Sequence, residues 1–355
     1  MGTVTSMVKQ SLETARKPIF RFVTPPGSEA VGYWRMGMPY VGVHKLGFYG
    51  NLLPELPTPK ELGMMDRSEY KTLAIVTHLT YLKGTLEKMR PLYEMGVKLV
   101  VDVDDYVWRW DKITAADKKL FNQTLAFADV VTTTTPYLQK KIYEHCGRKA
   151  YIVPNTIPEE EFRPPVVRQP DERLRVIYTG GIHHTTEWPA LRDMIEATSD
   201  FADWVLFHGQ QKDKTGNFMS LVTPPELMGV KNILWQIPQE TRSFLKTAYN
   251  TRPHVAVAPL AFSFMNNAKS DLKLLEAGAL GIPCIAQCMP PYEAWELQAS
   301  SVADFVDILR GMDTDEAYRT RMGEKMVDYA WARRLQTAAY LGHLLGAYQN
   351  ILETR

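Results

Sequence analysis

The sequence predicts an α/β fold made of two doubly wound halves, and three observations carry that reading. Apolar runs of strand length alternate with helix-period segments through most of the 355 residues. Composition turns Pro-rich and charged between Asn155 and Glu172, and a second strand-and-helix series opens directly after it. Alternation of this kind marks βα units on a mainly parallel sheet. The chain is also long enough for two domains with a core each.

In the first half, strands are expected at Ile19–Val23, Leu73–His78, Val97–Asp104, Val130–Thr135 and Tyr151–Pro154. Helices fit between them, at Tyr81–Glu94, Thr114–Ala128 and Pro136–Cys146. Pro136 suits the first turn of its helix, where a missing N–H leaves nothing unpaired. The stretch Pro158-Glu-Glu-Glu-Phe-Arg-Pro-Pro165, continued by Gln169-Pro-Asp-Glu172, is a poor core and a good linker. The second series starts with Leu174-Arg-Val-Ile-Tyr-Thr-Gly-Gly181, and further strands are expected at Trp204–His208, Asn232–Gln236, Val255–Leu260 and Cys284–Gln287. Toward the end, Trp331, Leu335, Ala338, Leu341, Leu345, Tyr348 and Leu352 recur at helical spacing and predict one or two long helices. The expected boundaries are residues 1–157 for the first domain, 158–172 for the linker, 173–325 for the second domain and 326–355 for a closing helical segment.

Composition narrows the function classes. An apolar fraction of 45% with 23% charged residues is that of a globular domain and not of a disordered chain. Lys plus Arg total 41 against 40 Asp plus Glu, so no global field draws the chain to nucleic acid or an anionic membrane. Cys146, Cys284 and Cys288 make neither a zinc-type pair of pairs nor an even disulfide set, which suits a reducing compartment; Cys284 and Cys288 read as core thiols. No apolar run approaches the length needed to cross a bilayer and no charged-then-apolar leader opens the sequence. The expected location is the cytoplasm.

The most informative stretch lies late in the chain. Val255-Ala-Val-Ala-Pro-Leu260, then Asn266-Asn-Ala-Lys-Ser270, then Asp271-Leu-Lys-Leu-Leu-Glu-Ala-Gly-Ala-Leu-Gly-Ile-Pro283 read as a buried strand, a polar loop and a short helix closed by Gly281 and Pro283. Apolar side chains would pack such a helix equally well. Ser270, Lys273 and Glu276 converging where a strand ends therefore point to a ligand in the crevice at the carboxyl edge of the sheet. The turn Ile177-Tyr-Thr-Gly-Gly-Ile-His-His184 adds Gly180 and Gly181, whose bare backbone lets a ligand come close, before a helix whose free N–H groups suit a phosphate. Thr185, Thr186 and Glu187 can cap that helix. The turn also reads as a plain strand-to-helix connection, with His183 and His184 as either ligand contacts or structural histidines.

In the first half, Val100-Val-Asp-Val-Asp-Asp105 ends an apolar strand with three carboxylates, which is costly unless they face a cleft, a cation or solvent. His78 ends its strand on the same crevice edge as Asp102 and Asp104. Arg35, in Val31-Gly-Tyr-Trp-Arg-Met-Gly-Met-Pro39, is a candidate anion contact, while Tyr33 and Trp34 read as core or interface aromatics. A nicotinamide dehydrogenase fits poorly: no Gly-x-Gly-x-x-Gly follows the first strand, and Thr179-Gly-Gly-Ile182 lacks the third glycine.

With these residues in place, the order of elements resembles the nucleotide-sugar half of a GT-B glycosyltransferase, in particular the large retaining family that includes sucrose, mannosyl and lipopolysaccharide glycosyltransferases. The resemblance implies two facing Rossmann-like domains, a last helix that crosses back to the first domain, and a hexosyl or pentosyl transfer from a nucleoside-diphosphate sugar with no further cofactor required. It implies that Glu276 binds the ribose and that Gly180, Gly181, His183, His184, Asn267, Ser270 and Lys273 hold the rest of the donor. A diphosphate leaving in a low-dielectric cleft needs positive charge already in place, and Lys269, with Lys273 one turn on, is the candidate. His78, Asp102 and Asp104 take the catalytic positions, with Arg35 and Asp105 toward the acceptor.

The chain departs from the family pattern in two places. The family's common signature has two Glu residues, and the position of the first is Ala268 here; no Lys follows Gly181. The alternative is therefore a degenerate GT-B protein that binds nucleotide or glycan without turnover. Asp102-Val-Asp104 is also the Mn²⁺ or Mg²⁺ motif of the GT-A fold, but the second βα half argues against that fold and no metal site is assigned. The acceptor stays open between a saccharide and a hydroxymethylated base in DNA, for which Lys118-Lys119, Lys140-Lys141 and Arg148-Lys149 would supply a phosphate-tracking surface.

Overall fold

The structure, a computed structural model, describes residues 18–24, 29–64, 73–78, 85–110, 113–180, 185–207, 223–236 and 241–352. The chain divides into two compact units, Met1–Asn155 with Leu335–Arg355, and Thr156–Arg334.

The first unit holds β1 (Ile19–Val23), β2 (Tyr49–Leu53), β3 (Leu73–His78), β4 (Lys98–Val103), β5 (Val130–Thr133) and β6 (Ala150–Ile152) in the order β2-β1-β3-β4-β5-β6. Every neighbouring pair is parallel. A parallel sheet is covered on both faces, which is why β3 and β5 are apolar or Thr-rich and buried at every position. The sequence reading misses β2: Tyr49-Gly-Asn-Leu-Leu53 carries two weak strand formers, and as an edge strand it is mostly part-exposed.

The longer helices of this unit are α1 (Met38–Lys45), α2 (Thr85–Glu94), α3 (Ala115–Phe127), α4 (Pro136–Cys146) and, from the far end of the chain, α10 (Ala338–Leu352). A π-helical segment, Gly32–Gly37, runs directly into α1. Widened turns of this kind are rare and concentrate at functional sites. Helix α10 packs on α1, β5 and β6, and its Tyr348 ring lies 5.1 Å from that of Phe20 in β1.

The second unit holds β7 (Leu174–Tyr178), β8 (Ala202–Phe207), β9 (Ile233–Gln236), β10 (Val255–Ala258), β11 (Cys284–Gln287) and β12 (Gln298–Ala299), ordered β12-β11-β10-β7-β8-β9 and again all parallel. Its helices are α5 (Trp188–Ala197), α6 (Thr241–Asn250), α7 (Leu272–Ala279), α8 (Val302–Thr314) and α9 (Glu316–Trp331). The chain winds outward from β7 in one direction and from β10 in the other, so the switch point of this sheet lies between those two strands. In the first unit it lies between β1 and β3.

Two boundaries differ from the sequence reading. Residues 158–172 belong to the second unit, where the Arg163 N–H donates to Ala279 O at the end of α7, so the Pro-rich stretch is fixed to that unit. Residues 326–334 also belong to the second unit as the end of α9 and the turn after it, and only Leu335–Arg355 joins the first. The thiols divide as well: Cys284 is buried, pushed up to about 12 by burial, whereas Cys288 is exposed and not a core group. No helix among the described residues is long and apolar enough to cross a membrane.

Helices α7 and α9 touch backbone to backbone at Gly278. A Cβ there would sit 2.5 Å from Met326 O and collide with the Ala330 methyl. Gly278→Ala is accordingly expected to cost about 1–3 kcal/mol, read as a fall in the urea midpoint of the second unit. An unchanged midpoint would mean that α9 yields freely.

Candidate functional site

The carboxyl edge at the β7/β10 switch point gathers most of the polar residues singled out in the second half. Thr179, directly after β7, donates its hydroxyl to Glu276 Oε2 at 3.0 Å. Glu276 lies on α7 and is 8% exposed. Burial raises its carboxyl above the usual range, and Lys273 and the Thr179 hydrogen bond only partly oppose this. One turn earlier, the ammonium of Lys273 lies 5.1 Å from the centroid of the Tyr178 ring, a cation–π placement. Burial lowers the pKa of Lys273 and the Lys269 charge adds to that, while Glu276, Cys284 and Glu187 pull it back up.

Tyr178 forms the floor. It is fully buried, and its hydroxyl has no hydrogen-bond partner among the described residues. The Gly180 backbone lies against that ring so tightly that any Cβ would overlap the phenol oxygen, which is why glycine stands there. The loop after β10 is folded on itself: Asn266 Nδ2 donates to Ala261 O (2.7 Å), the Asn266 N–H to Ser263 Oγ (3.0 Å), the Asn267 N–H to Ser263 O (3.1 Å) and the Lys269 N–H to Asn266 O (3.2 Å). It delivers Asn267, Lys269 and Ser270, all half-buried, to the start of α7. Asp271 then anchors that start to α9, accepting from Tyr329 Oη at 2.7 Å with Arg333 Nε at 3.5 Å, and the Arg333 guanidinium stacks 3.7 Å from the Tyr329 ring.

Gly180, Asn267, Lys269, Ser270, Lys273 and Glu276 are thus brought to one edge. Gly181, His183 and His184 lie outside the described residues. The sequence reading missed Thr179 and Tyr178, although both directly precede the glycine pair. Glu187, expected as a helix cap, stands at the position before α5 without a side-chain cap bond to that helix.

In the first unit the residues of the β3 and β4 ends do converge, with a different division of labour. His78 is in register with Asp102 across the two strands, and its Nε2 lies 2.7 Å from Asp104 Oδ1. A carboxylate only accepts, so Nε2 carries a proton. Burial pulls the imidazole pKa down, but Asp104, with help from Asp102, outweighs it, and the net shift is upward. The pair therefore adds stability that is fully present below the ordinary value of about 6.5 and is lost as pH rises through the raised folded value. His78→Gln is expected to flatten that part of the urea-midpoint profile between about pH 5 and 9; parallel wild-type and variant profiles would contradict the ion pair.

Arg35, expected toward the acceptor, and Asp102, expected at a catalytic position, are internal partners of one another. Both are 2% exposed. Arg35, in the π-helical segment, donates Nε and Nη2 to the two Asp102 oxygens (2.9 and 2.6 Å) and Nη1 to Val153 O and Asn155 Oδ1 (2.8 and 3.1 Å); Thr132 Oγ1 donates to Asp102 at 2.6 Å. This lattice ties the π-helical segment, β4, β5 and the end of β6 together. Asp105 lies just beyond, half-buried, its carbonyl accepting from the Val107 N–H.

The basic pairs are largely engaged locally. Lys141 and Lys140 face Glu144 at 2.6 and 3.9 Å, Arg148 donates to Ala128 O, and Lys149 covers the Tyr151 ring. Among the described residues no group of three or more His, Cys, Asp or Glu side chains is placed to hold a metal ion.

No family model matches the chain, and no curated protein matches it by sequence. Its fold does match solved structures. A glycosyltransferase from Rickettsia africae ESF-5 shares 11% identity over 96% of this chain and 100% of its own, with a TM-score of 0.64. Sucrose-phosphate synthase from Thermosynechococcus elongatus shares 12% over 95% and 99%, with a TM-score of 0.63. Anabaena HepE, in complex with UDP and glucose, shares 10% over 96% and 100%, with a TM-score of 0.64. At such identities the likeness is one of fold. Two all-parallel Rossmann-like units, matched over nearly the full length of these proteins, give this chain the GT-B fold of glycosyltransferases.

Proposed function

We propose that this chain is a retaining glycosyltransferase that moves a sugar from a nucleoside-diphosphate donor to an acceptor hydroxyl. The observation that carries the reading is the Thr179, Lys273 and Glu276 cluster at the β7/β10 switch point, where open α/β sheets bind ligands. HepE, a protein of the same fold, holds UDP and glucose, which supports a nucleotide-sugar donor.

In this reading Glu276, oriented by Thr179, receives the ribose hydroxyls. Lys269 meets the diphosphate, backed by Lys273 and Gly180, and the donor contacts expected of Gly181, His183 and His184 from the sequence belong to the same reading. Asn267 and Ser270 hydrogen-bond the transferred sugar or its phosphate. The bond between the anomeric carbon and the diphosphate oxygen breaks, the acceptor oxygen bonds to that carbon on the same face, and the departing oxygen takes the acceptor proton. No protein nucleophile is needed. His78, held by Asp104, is the first-unit group assigned to the transferred sugar or acceptor. The acceptor in this reading is a saccharide or a hydroxymethylated base in DNA.

A second reading, binding without turnover, rests on Ala268, which is 1% exposed where the family pattern has a carboxylate that holds the sugar. Incubating the protein with UDP-, GDP- and ADP-sugars, with oligosaccharides or hydroxymethylated DNA as acceptors, and scoring free diphosphate and the product's anomeric configuration separates the two. Tight donor binding with no diphosphate released across the panel would establish the second reading.

A further inference from the structure

A buried carboxylate outside the expected ligand set stands at the same edge. Glu187 is 2% exposed and occupies the position before α5. Its Oε1 accepts the Ala261 N–H at 3.2 Å and its Oε2 accepts the Thr186 hydroxyl at 3.1 Å. The first of these bonds spans the switch point: Glu187 follows β7, whereas Ala261 begins the loop after the neighbouring β10. Ala261 is held from its other side too, because its carbonyl accepts from Asn266 Nδ2 at 2.7 Å.

A neutral group could accept one backbone N–H at less desolvation cost than an ionised carboxylate. The charge of Glu187 also favours the protonated form of Lys273. Glu187 thus serves two neighbours. It fixes the root of the loop that carries Asn267, Lys269 and Ser270, and its charge, after those of Glu276 and Cys284, acts to raise the pKa of Lys273.

We propose that Glu187 is a positioning residue of the donor site, holding the 261–270 loop at the edge of β7 so that Lys269 is in place before the nucleoside diphosphate arrives. The assignment rests on the donor reading above and deepens it. Preorganisation of this kind sets affinity by removing the ordering cost of binding.

The test uses the full chain with Glu187→Leu, which keeps the volume and removes the acceptor, Glu187→Ala, and Glu187→Gln, which keeps an acceptor oxygen. Calorimetric titration with UDP, GDP and ADP is combined with amide hydrogen exchange of the 260–265 segment. The expected result is faster exchange there and about tenfold weaker binding of the preferred diphosphate in the Leu and Ala variants. The Gln variant is expected to restore both. A merely structural residue would lower the thermal midpoint without this rescue pattern, and that outcome overturns the proposal. Wild-type affinity with intact loop protection in Glu187→Leu overturns Glu187 alone. A wild-type chain that binds none of the three diphosphates overturns the donor reading, and with it the part given to Glu187.

Discussion

Arg35→Ala is expected to destabilise the first unit by about 3–5 kcal/mol, the cost of leaving a buried carboxylate without its partner. Four of the Arg35 hydrogen bonds disappear at once, two of them to Asp102, which is itself 2% exposed. Burial opposes the charge on Arg35, and Asp102 more than compensates, so its guanidinium is held even more firmly protonated than usual. Urea unfolding followed by far-ultraviolet dichroism measures the effect. Replacing both residues, Arg35→Met with Asp102→Leu, is expected to cost less than Arg35→Ala alone, because no unpaired charge remains. A loss below about 1 kcal/mol for the single variant would place the network among weak surface pairs.

Lys269→Ala is expected to lower the rate of diphosphate release from the preferred donor by about 10²–10³-fold, the usual effect of removing one preorganised group from a developing negative charge. Stability should move by no more than about 0.5 kcal/mol, since Lys269 is half-buried on a loop. The Lys269 charge helps to depress Lys273, so its removal leaves Lys273 more firmly protonated, and the rate loss cannot be blamed on a discharged neighbour. A variant with the wild-type rate would remove Lys269 from the diphosphate and shift that role to groups around the β7 turn.

Local pattern sufficed wherever one element declares itself by its own residues. Ile19–Val23, Leu73–His78, Pro136–Cys146 and Cys284–Gln287 fall where the apolar runs and Pro136 put them. It failed where tertiary context decides. Residues 32–39, with two glycines and a proline, carry no helix prediction of their own, yet they lie in a continuous helical run that delivers Arg35 to Asp102. Tyr49–Leu53 is a strand only because β1 lies beside it. The site divides the same way. Lys273 and Glu276 sit one helical turn apart, so their convergence was readable from spacing. The partners of Arg35 and Glu187 lie 67 and 74 positions away, and no period in a sequence encodes such a meeting.

The return of the last helix sets an order of events during synthesis. Tyr340, Leu344 and Tyr348 are buried parts of the first unit's interior, but they leave the ribosome only after all of Thr156–Arg334. At about 5–20 residues per second, the apolar face awaiting that helix stays uncovered for on the order of ten seconds or more while the later unit is made. Nascent chains of this protein should therefore engage a chaperone through their earliest domain, and the later domain, though begun second, should be the first to become protease-resistant.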